Sequence, residues 1–137
     1  IDERLADTGG YRYWHPKYWS IIHNVVKKSD LDWEQAESKV TENVAVIESI
    51  AYHSNFRPNV WKLFPLPSSQ LAKEFVNQYL LPRAEDKKAF IFVQRSERHW
   101  ELKDNGSNLI VRDSMKARLP ISEEETSKIA DFLIEAF

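Results

Sequence analysis

Apolar residues recur along this chain at helical spacing in four places and as unbroken runs in three. Trp19, Ile22, His23 and Val26 share one face behind Pro16, which predicts an amphipathic helix to about Lys28 with Pro16 at a first helical position. His23 reads there as a core histidine, and His15 before Pro16 carries no specific signal. "SDLDWEQAESKV" sets Asp30 or Asp32 as a cap ahead of good helix formers and predicts a second, short helix. In "SSQLAKEFVNQYLLP", Leu71, Phe75 and Tyr79 form one row and Ala72, Val76 and Leu80 the next. Ser68 or Ser69 can cap that helix, and Pro82 should stop it. The last helix begins at Ser122, whose spacing to Glu125 matches a capping box, and runs through Ile129, Phe132, Leu133 and Ala136.

The unbroken runs "NVAVIESI" (43 to 50), "KAFIFVQ" (88 to 94) and "SNLIVR" (107 to 112) predict strands of a sheet covered on both faces. "SERHWELK", opening on Ser96, predicts a short crossover helix between the second and third strands, with Trp100 in the core and His99 near the cap or facing the strand ends. The resulting alternation of helices and strands predicts an α/β fold with three layers, a mostly parallel sheet carrying helices on both faces. At 137 residues, without repeats or a dividing linker, the chain fits a single α/β domain with its own core. It does not begin with Met, so residues upstream of Ile1 are expected.

Composition narrows the chemistry. Hydrophobic residues at 42% and charged ones at 29% argue for a folded chain rather than a disordered one. The chain has no cysteine, which removes disulfides, thiol catalysis and thiolate metal sites, and its four scattered histidines offer no zinc spacing. No metal and no cofactor is expected. No apolar run approaches a membrane span and the amino terminus has no signal pattern, so no membrane partner is expected and a cytoplasmic setting is the default. A net charge of −2 argues against a wholly cationic duplex-binding surface, yet Arg95, Arg98, Arg112, Lys116 and Arg118 fall close together in the chain.

Parallel strands place their carboxyl ends along one edge, where open α/β sheets bind ligands. That edge would receive Glu48, Tyr52, His53 and Ser54 from the first strand, Gln94, Arg95 and Ser96 from the second, and Arg112, Asp113 and Ser114 from the third. Helix amino termini at Ser68, Ser96 and Ser122 favour anions, and Arg95 with Arg112 makes a phosphate or carboxylate the natural ligand. The alternative is a structural network in which both arginines pair with Glu48, Asp113 and helix carbonyls. His53 has the chemistry of a general base oriented by Glu48, or it is a turn residue at a strand end; Ser54 lacks the Gly-x-Ser-x-Gly context of a nucleophile.

The connection from Ala51 to Pro67, seventeen residues long, interleaves Phe56, Trp61 and Phe64 with Arg57 and Lys62. Aromatics that stack bases beside cations that meet phosphates are what single-strand grooves use, although rings that pin a long loop to the body give the same pattern. Tyr11, Tyr13, Trp14, Tyr18 and Trp19 form a second aromatic stretch, assigned mostly to core packing. Gly-x-Gly-x-x-Gly, a phosphate-binding Lys-Ser/Thr loop and His-Glu-x-x-His are all absent, which argues against P-loop nucleotide hydrolysis and zinc peptidase chemistry.

"GGYRYWHPKYWSII", the run leading into "YHS", "LPSSQLAKEFV" and "FIFVQRSERHW", in this order over about residues 9 to 122, resemble a group of bacterial and phage proteins of uncharacterised function. That group is similar in layout to the uracil-DNA glycosylase-like superfamily. The resemblance implies a parallel sheet with an early catalytic loop and a late His-bearing loop, and a base flipped into a pocket. "RDSMKARLPIS" matches the late loop by position but has no His; Met115 would wedge and Lys116 or Arg118 would touch phosphate. The early loop would precede Ile1.

The combined expectation is an α/β domain that binds a nucleotide or single-stranded or damaged DNA, with base excision as the reaction the resemblance implies. In it His53 and Ser54, with Glu48, position the base or water. Tyr52, Arg95, Ser96 and Arg112 hold the ligand and its phosphate, and Arg57, Trp61, Met115, Lys116 and Arg118 contact nucleic acid. The alternatives are a regulatory protein that engages a protein partner without catalysis, and a small-molecule hydrolase using His53 and Ser54.

Overall fold

A computed structural model of the chain describes residues 9–50, 64–113, 115–116 and 119–136. Its contacts divide it into two compact units, Ile1–Ala45 with Leu119–Phe137, and Val46–Arg118.

The first unit is helical. Helix α1 spans Gly9–Lys28, α2 Trp33–Asn43 and α6 Glu123–Ala136, and α1 packs against both of the others. The buried stripe of α1 is Ile21, Ile22 and Val25, which face a core shared with Ala36, Val40, Ile129, Ala130 and Leu133. Trp19 and His23, expected in that core, are exposed, because the true stripe is rotated by about one residue from the one the spacing predicts. Pro16 is likewise not a first-turn residue; α1 continues before it, and the Lys17 ammonium donates to the Tyr13 carbonyl at 2.9 Å beside it. Asp32 caps α2 through a complete capping box with Gln35. Ser122 and Glu125 form the box expected at the start of α6, with Ser122 N–H donating to Glu125 Oε2 at 2.8 Å and Glu125 N–H to Ser122 Oγ at 3.3 Å. Across α1 and α6, the buried Asn24 Nδ2 donates to Thr126 Oγ1 at 3.2 Å, and Lys28 Nζ meets Asp131 at 2.6 Å.

In the second unit, α3 (Pro67–Phe75), a π-helical segment (Val76–Leu80) and α4 (Leu81–Glu85) form one continuous rod. The expected stop at Pro82 does not occur. Proline cannot donate to a carbonyl four residues back, and the turn before it widens instead, with Leu81 N–H reaching Val76 O. The expected serine caps are also absent: Leu66 occupies the cap position, Pro67 follows, and Ser69 is buried within the first turn.

Strands β1 (Ile91–Val93) and β2 (Leu109–Val111) pair in parallel, in the register Ile91↔Leu109, Phe92↔Ile110, Val93↔Val111. Short helix α5 (Glu97–Trp100) lies between them in sequence. Ile91, Val93 and Val111 pack with Val76, Trp100, Ala72, Leu80, Leu102 and Ile47. Asn108 Nδ2 anchors the start of β2 by donating to Ala84 O at 2.6 Å and Ala89 O at 2.9 Å.

The three-layer α/β sheet is therefore corrected. Among the described residues there are two short strands in an otherwise mostly helical chain. Residues 43 to 50 do not form the first strand: Asn43 ends α2, Val44 N–H closes that helix on Val40 O, and 44 to 48 run irregularly. The apolar run still packs Ile47, partly buried, against the core of the second unit, which shows why it reads as a strand. Burial needs only an apolar side chain, whereas a strand also needs a neighbouring backbone to satisfy its N–H and C=O groups.

Candidate anion-binding rim

Beyond the last paired residues Val93 and Val111, the parallel register brings Gln94 opposite Arg112, and Arg112 N–H donates to Val93 O at 3.0 Å. Gln94 and Arg112 are both buried, Arg112 at 4% relative exposure, with its guanidinium carbon 5.9 Å from the Phe92 ring centroid. Arg95, one residue on, is exposed, and its Nη2 lies 3.7 Å from Glu48 Oε2. Such a half-exposed pair contributes little to stability, at most about 1 kcal/mol. The carboxyl ends of the two strands thus carry Arg95 and the buried Arg112, and Glu48, which the structural alternative assigns to both arginines, lies beside Arg95.

Ser96 sits at φ 62°, its side chain makes no capping bond, and α5 is four residues long, so Ser96 does not open an anion-binding helix terminus. Asp113 Oδ1 accepts from Met115 N–H at 2.8 Å and Lys116 N–H at 3.0 Å, which folds the segment after β2 into a tight turn with both side chains exposed. Tyr52, His53, Ser54, Arg57, Trp61 and Arg118 lie outside the described residues. Of the expected set, the structure brings Glu48 to Arg95, and Arg112 to the end of β1.

His99 occupies a different setting from either position expected for it. It is 5% exposed, stacks on Phe64 with centroids 4.4 Å apart at 19°, and meets Trp100 edge-on at 5.0 Å. Burial holds its pKa below the usual imidazole value of 6.5, Lys73 adds to this, and the Ser69 backbone and Glu101 oppose it. Nε2 is buried without a hydrogen-bond partner among the described residues. The neighbouring Lys73 Nζ pairs with Glu101 Oε2 at 2.9 Å and, chiefly through that hydrogen bond, holds the Glu101 carboxyl below its usual range.

Charge is divided between the units. The second unit contains twelve Lys and Arg against eight Asp and Glu, and the first contains seven against thirteen. The total of −2 conceals a net +4 and a net −6. No helix among the described residues is long and apolar enough to cross a membrane, and no group of three His, Asp or Glu among them could hold a metal ion. Compared with known proteins, the chain matches no family model, no curated protein and no solved structure.

Proposed function

We propose that the second unit binds the phosphate of a nucleotide or a single nucleic-acid strand at the carboxyl-end rim of its parallel strands. The observation that carries this reading is the net +4 of that unit, with Arg95 and Arg112 at the ends of adjacent strands. Arg95 takes the phosphate by exchanging its partly solvated Glu48 partner for a charge-assisted bond, and Arg112 supplies field from beneath. Lys116 and Met115 contact the strand after β2. His53 and Ser54 position the base, Tyr52 holds the ligand, and Arg57, Trp61 and Arg118 contact nucleic acid. Base excision, the reaction implied by the sequence resemblance, is the finer form of the same reading.

The test is fluorescence anisotropy with a labelled uracil-containing single strand across a salt series. Arg95→Ala and Lys116→Ala should each weaken binding and lower the salt slope by about one counterion. Unchanged affinity and slope in both would remove the rim. Uracil release from the same strand tests the finer form.

A second reading, binding of a protein partner without catalysis, is favoured by one feature. Leu71, Phe75 and Tyr79, one of the two apolar rows of their helix, are 64%, 46% and 61% exposed, and the Phe75 and Tyr79 rings stack on each other at 5.6 Å. The core is served by the other row, Ala72, Val76 and Leu80. Binding that resists salt and is lost in Leu71→Ser/Tyr79→Ser would select this reading over the first.

A further inference from the structure

The first unit carries an exposed aromatic cluster that its core does not use. Trp19 on α1 and Trp33 at the start of α2 are 47% and 36% exposed, with ring centroids 5.4 Å apart and a 44° tilt. His23, one turn beyond Trp19, lies flat on it at 5.3 Å and 5°, which fixes the indole rather than covering the cluster. The pair leaves a large share of its indole surface open to water, outside the buried stripe of Ile21, Ile22 and Val25, which is the mark of an interaction surface.

The charge around it specifies what could cover it. Asp32 and Glu34 flank Trp33 directly in sequence and are exposed, and Asp30 precedes them. Of the lysines closing α1, Lys28 is taken up by Asp131 at 2.6 Å, and Lys27 lies 3.9 Å from Glu123. The unit as a whole is at net −6, so an anionic strand meets repulsion there, whereas a cationic chain is drawn in. Indole is the best side-chain acceptor for cation–π contact, and guanidinium stacks on it more readily than ammonium does.

We propose that Trp19, Trp33 and His23 form a docking surface for an arginine-rich segment of a partner protein. The guanidinium groups stack on the open indole surfaces, and Asp32 and Glu34 take the remaining charge. This surface lies within the first unit and stands independently of the rim proposed for the second.

The experiment uses the whole chain and a labelled nine-residue Arg-Gly alternating peptide, read by anisotropy, with the Lys-Gly version and a ten-residue oligothymidine as comparison probes. Trp19→Ala and Trp33→Ala should each weaken the Arg peptide roughly threefold to tenfold, with Trp19→Phe and Trp33→Phe in between. The Lys peptide should bind more weakly than the Arg peptide, and oligothymidine binding should be unaffected by these substitutions. Helical circular dichroism identifies any variant that fails to fold, and the phenylalanine forms then carry the test. Equal affinity of the wild type and the Trp variants for the Arg peptide, absence of peptide binding, or oligothymidine binding lost in the Trp variants would each overturn the proposal.

Discussion

The two units solve the same problem of burial by different means. The first uses three helices of ordinary backbone, joined by buried aliphatic side chains and one buried polar bond, Asn24 to Thr126, and its two later helices open with full capping boxes. The second fits a π-helical turn, a two-stranded parallel pair and a four-residue helix around Trp100. All the left-handed residues among those described belong to it: Lys87, Ser96 and Glu101 at φ 58°, 62° and 55°, and Gly106 at 72°. Residues other than glycine held there cost of order 1 kcal/mol or more each, so the surrounding contacts must compel them. Where local preference and tertiary need agree, the chain reads as a helical bundle; where they part, it takes the irregular route that also delivers its cations to a strand-end rim.

The contrast breaks most visibly in the cores. Trp100→Ala should destabilise the second unit by about 3–5 kcal/mol and Ile22→Ala the first by about 2–5 kcal/mol, measured by urea unfolding with residue-resolved amide exchange. Protection should fall around β1 and β2 for the former and along α1, α2 and α6 for the latter. An equal loss everywhere from either change would mean that the two units share one cooperative transition.

A smaller effect sharpens the comparison of polar links. Asn24→Ala removes the donor to Thr126 and the bond to Ser20 O, and should cost about 1–3 kcal/mol, again by urea unfolding. A loss within error of zero would show that the helices of the first unit are held by apolar contact alone.

The smallest effect is one of pH, and it belongs to the second unit. Because the folded pKa of His99 lies below 6.5, the folded state binds fewer protons than the unfolded chain between the two values. The contribution is complete above pH 6.5 and is lost as pH falls through the depressed folded value. His99→Phe keeps a ring against Phe64 and removes the titration, so its urea midpoint should fall less than that of the wild type on acidification. Parallel pH profiles would show that His99 is not the responsible group.

Several elements were readable from residues alone because their signals are local. The cap at Asp32, one of two candidates there, the capping box at Ser122 and the apolar runs of β1 and β2 depend on neighbours within a few positions. Arg95 and Arg112 lie just past the ends of β1 and β2, and Glu48 falls beside Arg95. The first of the three expected strands does not form because "VAVIESI" has no alternation to distinguish pairing from simple burial, and the nearest helix has a prior claim on Asn43 and Val44. Nothing in "SERHWE" announces that Phe64, far away in sequence, stacks on the His99 ring.

From residue order alone follow the helical runs, the caps of α2 and α6, the two apolar strands and the absence of cysteine chemistry, all consequences of backbone sterics and side-chain type over short distances. Tertiary contact alone settled which of two apolar rows on α3 is buried, that Trp19 and His23 face water, and that acid and base are divided between two units. Those outcomes depend on which surfaces find partners across long stretches of chain, and a helix with two apolar rows can bury either one until another element covers it.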